Sequence, residues 1–274
     1  MKQHSEKICI AGFVMHILFA LVSFGMSIWN QSAATYASGW LLAFGSIFWL
    51  LTLIDLWAVR AAEEEEREER EFAQKRGAKD AGKIFEEHGE SFDAFSARTR
   101  LRRIDRWFFP ILTLIAGGVM CFFSYMLLMK KLGDFSIGAL TKQLPSLTFL
   151  GGMAFFSFIF SRYTAGLSRE NNNQGLRASS GAMFAGTVCI FLTAISFVLS
   201  NFGYQLMEQI VRYIISSLIG IVGIELIANF IINLYRPRVS GQKRTPVYYS
   251  RTLALIAIPQ SIFKATAMTL DYQF

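Results

Sequence analysis

The chain has 274 residues, 53% of them hydrophobic and 26 of them Phe, and its 27 Lys and Arg against 20 Asp and Glu give a formal charge of +7. More than half of the charged residues fall between positions 60 and 106, which leaves the rest strongly apolar. The basic residues flank apolar stretches, so the positive balance points to anionic lipid and not to nucleic acid.

Six apolar stretches, 8–29, 37–57, 107–128, 145–160, 181–199 and 214–235, contain no Lys or Arg and only Asp55 and Glu225 as acids. At about 1.5 Å per residue, roughly 20 apolar residues cross a hydrocarbon core of about 30 Å. A helix satisfies its own backbone there. The expected fold is an all-α polytopic membrane bundle with six transmembrane helices.

Residues 1–59 read as a first transmembrane hairpin. The apolar run after Lys2 and Lys7 is longer than a secretory signal core, so an uncleaved anchor is expected despite Ser32-Ala33-Ala34. His16 is expected to face the bundle interior or a neighbouring carbonyl. Asp55 lies about one turn from the interface, within reach of Arg60.

Residues 60–106 form a charged cytoplasmic loop. Its first part reads as an exposed continuation of the second helix, with acid-first i,i+4 pairs Glu63–Arg67, Glu66–Arg70 and Glu71–Lys75. The alternative is a docking arm for a cytoplasmic partner. Gly77 and Gly82 loosen its middle. Arg102, Arg103 and Arg106, with Arg98 and Arg100, then precede Trp107, a pattern suited to lipid headgroups.

Residues 107–235 hold four further spans. The 145–160 stretch is short and weakened by Gly151-Gly152. Gly181/Ala185, Ala182/Gly186, Gly220 and Gly223 suit close helix approach. Lys and Arg concentrate at the amino end, in 60–106, in 161–180 and after 235. The intervening loops carry only Lys130, Lys131, Lys142 and Arg212. The positive-inside rule therefore places both termini in the cytoplasm.

The last span carries Glu225, Asn229 and Asn233 at four-residue spacing, one polar stripe with its acid near mid-membrane. Such a carboxylate must be protonated, paired or in a wet cavity. It serves either as a proton or ion site or as a hydrogen-bonding seam between helices or subunits. Cys9, Cys121 and Cys189 read as buried apolar side chains. No metal-ligand, nucleophile or phosphate-loop pattern appears, so no catalytic residue, metal or cofactor is expected.

Residues 236–274 form an interfacial tail. Pro237 ends the last helix, Arg236 and Arg238 sit at headgroup level, and the apolar run from Leu253 is too short to cross. A short helix is expected there, against the surface or beneath the bundle.

The strings N-F-I-I-N-L-Y-R-P-R (229–238), P-V-Y-Y-S-R-T-L-A-L-I-A-I-P-Q-S-I (246–262) and D-Y-Q-F (271–274) resemble the membrane region that precedes the SPFH (band 7) domain in long HflK-like proteins. Phe160-Ser161-Arg162-Tyr163 and the basic run into Trp107 look similar too. The resemblance covers roughly 95–274 and is tightest from Glu225 onward. It implies a non-catalytic, oligomeric anchor and assembly module in the bacterial inner membrane. Its implied partners are membrane lipids, band 7 subunits and the membrane AAA+ protease FtsH. The family continues from Y-Q-F into another span and the SPFH domain, neither of which this sequence carries; a truncated, split or free-standing relative all fit. The alternative function is a small transporter or channel subunit with Glu225 as its protonatable site.

Overall fold

The structure is a computed structural model that describes residues 2–75, 108–132, 143–170, 173–204, 206–235 and 250–256. These form seven helices: α1 Lys2–Asn30, α2 Ala33–Lys75, α3 Phe109–Leu128, α4 Gln143–Glu170, α5 Gln174–Asn201, α6 Leu206–Tyr235 and α7 Arg251–Ile256. There is no strand among the described residues.

The helix boundaries follow local chemistry. Gln31 turns the chain at φ 55°, and Ser32 then caps α2, its Oγ accepting from Thr35 N at 3.1 Å. Pro110 sits in the first turn of α3, where its missing N–H costs nothing. The Asn173 side chain accepts from Leu176 N at 3.1 Å and starts α5; Gly203, at φ 90°, follows its end.

Inside the helices, hydroxyl groups hide by bonding back to carbonyls three or four residues earlier. Ser27, Ser38, Ser46, Thr113, Thr164, Thr193 and Ser196 all do so at 2.6–2.9 Å. This leaves large apolar side chains facing outward along the bundle, including Leu18, Leu21, Phe122, Phe155, Phe156, Phe191 and Ile224. Such a surface belongs in lipid.

Neighbouring helices run antiparallel, with small residues opposite large ones. Gly12 of α1 meets Trp49 of α2, His16 meets Gly45, and Phe24 meets Gly39. On α3 and α6, Gly117 opposes Gly223 backbone to backbone, and Ser124 Oγ donates to Ser216 O at 2.8 Å. Ser157 of α4 donates to Met183 O at 3.3 Å and accepts from Thr187 Oγ1 at 2.9 Å, both on α5. Ser179 of α5 donates to Phe48 O at 3.1 Å across to α2.

Two ends of the bundle follow from these registers. The turn end carries the α1–α2 turn, where Asn30 Nδ2 donates to Ser146 Oγ of α4 at 2.6 Å. The tail end carries the start of α1 and the middle of α2, where Arg60 reaches Glu6 at 3.1 Å and Glu64 at 2.8 Å. Arg60, read from sequence as within reach of Asp55, is engaged by these two acids. Beyond Ala58, α2 continues helical to Lys75, about 25 Å further.

Each of the six apolar stretches lies in one of α1 to α6 over its described length. Five of these helices, α1, α2, α3, α5 and α6, are long and apolar enough to cross a membrane. α4 is not among these five.

Candidate functional site

Glu225 stands in the second half of α6, and the tail supplies its partners. Ser250 Oγ donates to Glu225 Oε2 at 2.5 Å. The Thr252 amide donates to Oε1 at 3.1 Å and to Oε2 at 3.2 Å, and Thr252 Oγ1 donates to Oε1 at 2.7 Å. Ser250 Oγ also accepts from Leu253 N at 3.2 Å, so it begins α7. The carboxylate thereby closes the start of α7, where helix N–H groups lack intrahelical partners.

This contact places Leu253 inside the bundle. The side chain is buried among Leu41, Phe44 and Phe48 of α2, Met120 of α3, Ala182 of α5 and Val222 of α6. Leu253 O lies only 3.2 Å from where a β-carbon on Gly181 would stand. Gly181 therefore receives the tail, whereas the sequence had assigned it to helix–helix contact. Gly220 and Gly223 do serve helix contact, against Ser124, Cys121 and Gly117 of α3.

The polar stripe is thus partly accounted for. Glu225 is half-buried and fully engaged, and Asn229, one turn later, is also half-buried and hydrogen-bonded or paired. The side chain of Asn233, and all of Arg102, Arg103, Arg106, Arg236 and Arg238, lie outside the described residues. His16 is completely buried, with Nδ1 at 3.1 Å from Gly12 O, matching the expected carbonyl partner. Cys9 and Cys189 are buried; Cys121 is half-buried, with Sγ 3.9 Å from Gly220 O. Among the described residues no group of His, Cys, Asp and Glu could hold a metal ion.

One residue escaped the sequence reading. Arg212 was counted as a loop cation, but α6 begins at Leu206 and carries it inward. Its side chain is 0% exposed, and Nε, Nη1 and Nη2 have no hydrogen-bond acceptor among the described residues. Glu208, one turn earlier, bonds the Ser32 hydroxyl and the amides of Ala33 and Ala34 at the start of α2 and faces Arg212 electrostatically, while its Oε1 makes no hydrogen bond among the described residues. The available signal was the absence of Pro or Gly between Tyr204 and Ile219, which lets the helix start well before the apolar run.

Compared with family models, curated proteins and solved structures, the chain has no significant match in any of the three.

Proposed function

We propose that this protein is a non-catalytic membrane anchor and assembly module whose bundle grips its own tail. The observation that carries this reading is the Glu225 clamp. A carboxylate in the last span accepts hydrogen bonds from Ser250 and Thr252, and Leu253 is buried beside them. Chain that follows α7 therefore departs from a fixed point on the bundle, the geometry an anchor requires.

In this proposal α4 is a sixth crossing. Its start is bonded to the end of α1 at Asn30, and it runs antiparallel to α5 through Ser157. Six crossings put both termini on one side. The weight of Lys and Arg in the regions at that end supports a cytoplasmic placement, and a bacterial inner membrane rests on the HflK-like resemblance. Band 7 subunits and an FtsH-type protease as partners rest on the HflK-like resemblance alone.

Affinity purification of the tagged protein from its native membranes, followed by mass spectrometry, tests the partner class. Recovery of a band 7 protein or a membrane AAA+ protease is the expected result, and its absence under mild detergent contradicts it. The rival role, a transporter using Glu225 as its proton site, is opposed by the full engagement of that carboxylate. A pH-dependent solute flux in liposomes, abolished by Glu225→Gln, would establish the rival.

A further inference from the structure

The turn end of the bundle holds a buried guanidinium whose hydrogen bonds are unmade among the described residues. Arg212 is 0% exposed and all three guanidinium nitrogens lack an acceptor among the described residues; Glu208, one turn earlier, acts on it electrostatically without hydrogen-bonding to it. Buried guanidinium groups are ordinarily paired and hydrogen-bonded. The Tyr213 ring, 5.3 Å from Cζ, covers one face of the group but accepts none of its N–H bonds. Beside it on the same helix, Glu208 Oε1 and Gln209 Oε1 are buried acceptors that also lack a donor. Donors and acceptors thus stand unmatched at positions three and four residues apart, on one stretch of α6.

The depth of this cluster is set independently. The register that pairs Gly117 with Gly223 and Ser124 with Ser216 brings Arg212 level with Leu128, the last residue of α3. Lys130 and Lys131 follow immediately. Around the same end, Trp29, Phe202, Tyr204 and Tyr213 are exposed, Phe202 at 75%. Exposed aromatic side chains at one end of a set of membrane helices mark headgroup depth. Besides Glu208, an anion available at that depth is a lipid phosphate, and a guanidinium fork matches phosphate oxygens two at a time.

We propose that Arg212, with Glu208 and Gln209, binds the phosphodiester headgroup of one phospholipid at the turn end of the bundle. The phosphate takes the guanidinium donors, and a headgroup hydroxyl or ammonium supplies the donor that Glu208 Oε1 and Gln209 Oε1 lack. Phosphatidylglycerol and phosphatidylethanolamine carry both groups. The site is at the opposite end from the basic residues expected to meet cytoplasmic headgroups, and it does not depend on the scaffold reading.

Delipidated protein in detergent, titrated with dioleoyl phosphatidylglycerol, tests this by native mass spectrometry and thermal melting. Wild type is expected to retain one lipid and to melt several degrees higher with it. Arg212→Met should lose that adduct and that shift. Arg212→Lys, which keeps the charge without the fork, should bind at least about ten-fold more weakly. Equal lipid retention by wild type and either variant overturns the proposal. A second titration with glycerol 1-phosphate separates the sources: saturation by this soluble ester, with displacement of the lipid, overturns the lipid assignment.

Discussion

Gly45 leaves the space that His16 fills: a β-carbon at Gly45 would lie 2.5 Å from His16 Cδ2. The ring is fully buried and tied through Nδ1 to Gly12 O, so it has little room to yield. Overpacking of this kind costs about 1–3 kcal/mol. Gly45→Ala should therefore lower the melting temperature in detergent, whereas Gly25→Ala, which meets nothing within 4 Å, should not.

The α3–α6 contact makes a sharper pair of neighbours. A β-carbon at Gly117 would sit 2.7 Å from Gly223 O, which is backbone and cannot rotate aside. At Gly118 nothing lies within 4 Å. Gly117→Ala is expected to destabilise the fold by at least about 1 kcal/mol. Gly118→Ala should be neutral or stabilising by up to about 1 kcal/mol through helix propensity. Thermal or denaturant melts of the two proteins check this, and equal behaviour would contradict the register.

Polar contacts between α2 and α5 should be worth much less. Thr52 Oγ1 and Ser179 Oγ lie 2.9 Å apart, and each also bonds Phe48 O. Membrane hydrogen bonds of this type average about 0.6 kcal/mol and reach about 1.7. Ser179→Ala should therefore cost less than Gly117→Ala in the same assay.

The clamp predicts coupling between residues far apart in the chain. Glu225→Ala leaves the Ser250 hydroxyl and the Thr252 amide and hydroxyl without their acceptor, a loss of about 1–3 kcal/mol. Thr252→Val removes part of the same interaction, so the double variant should fall short of the sum of the two singles. Limited proteolysis of the tail in detergent measures this: cleavage should accelerate in each single variant and change little further in the double.

Which of these features the sequence discloses depends on whether they are local. Apolar length disclosed the positions of α1, α2, α3, α5 and α6, because a run long enough to cross lipid is a property of consecutive residues. Glu225 and Asn229 were legible for the same reason, as an acid and an amide at helical spacing. Their partners were not. Ser250 and Thr252 lie 25 and 27 positions away from Glu225, and nothing in the intervening chain encodes that meeting. Gly181 looked like a helix-contact glycine because only the folded chain shows that Leu253 fills the space before it. Arg212 was misplaced because charge was used to mark a loop, while α6 extends through it.

The entry of the tail into the bundle is the claim on which the anchor reading stands, and a designed disulfide tests it most directly. A β-carbon at Gly181 would lie 3.7 Å from Leu253 Cβ, within the range a disulfide spans. In a background with Cys9, Cys121 and Cys189 replaced, Gly181→Cys with Leu253→Cys should cross-link rapidly in isolated membranes under mild oxidant. Adding Glu225→Ala should slow the reaction several-fold. Absence of cross-linking with Glu225 intact would show that the tail does not dock where the clamp requires, and would contradict the account.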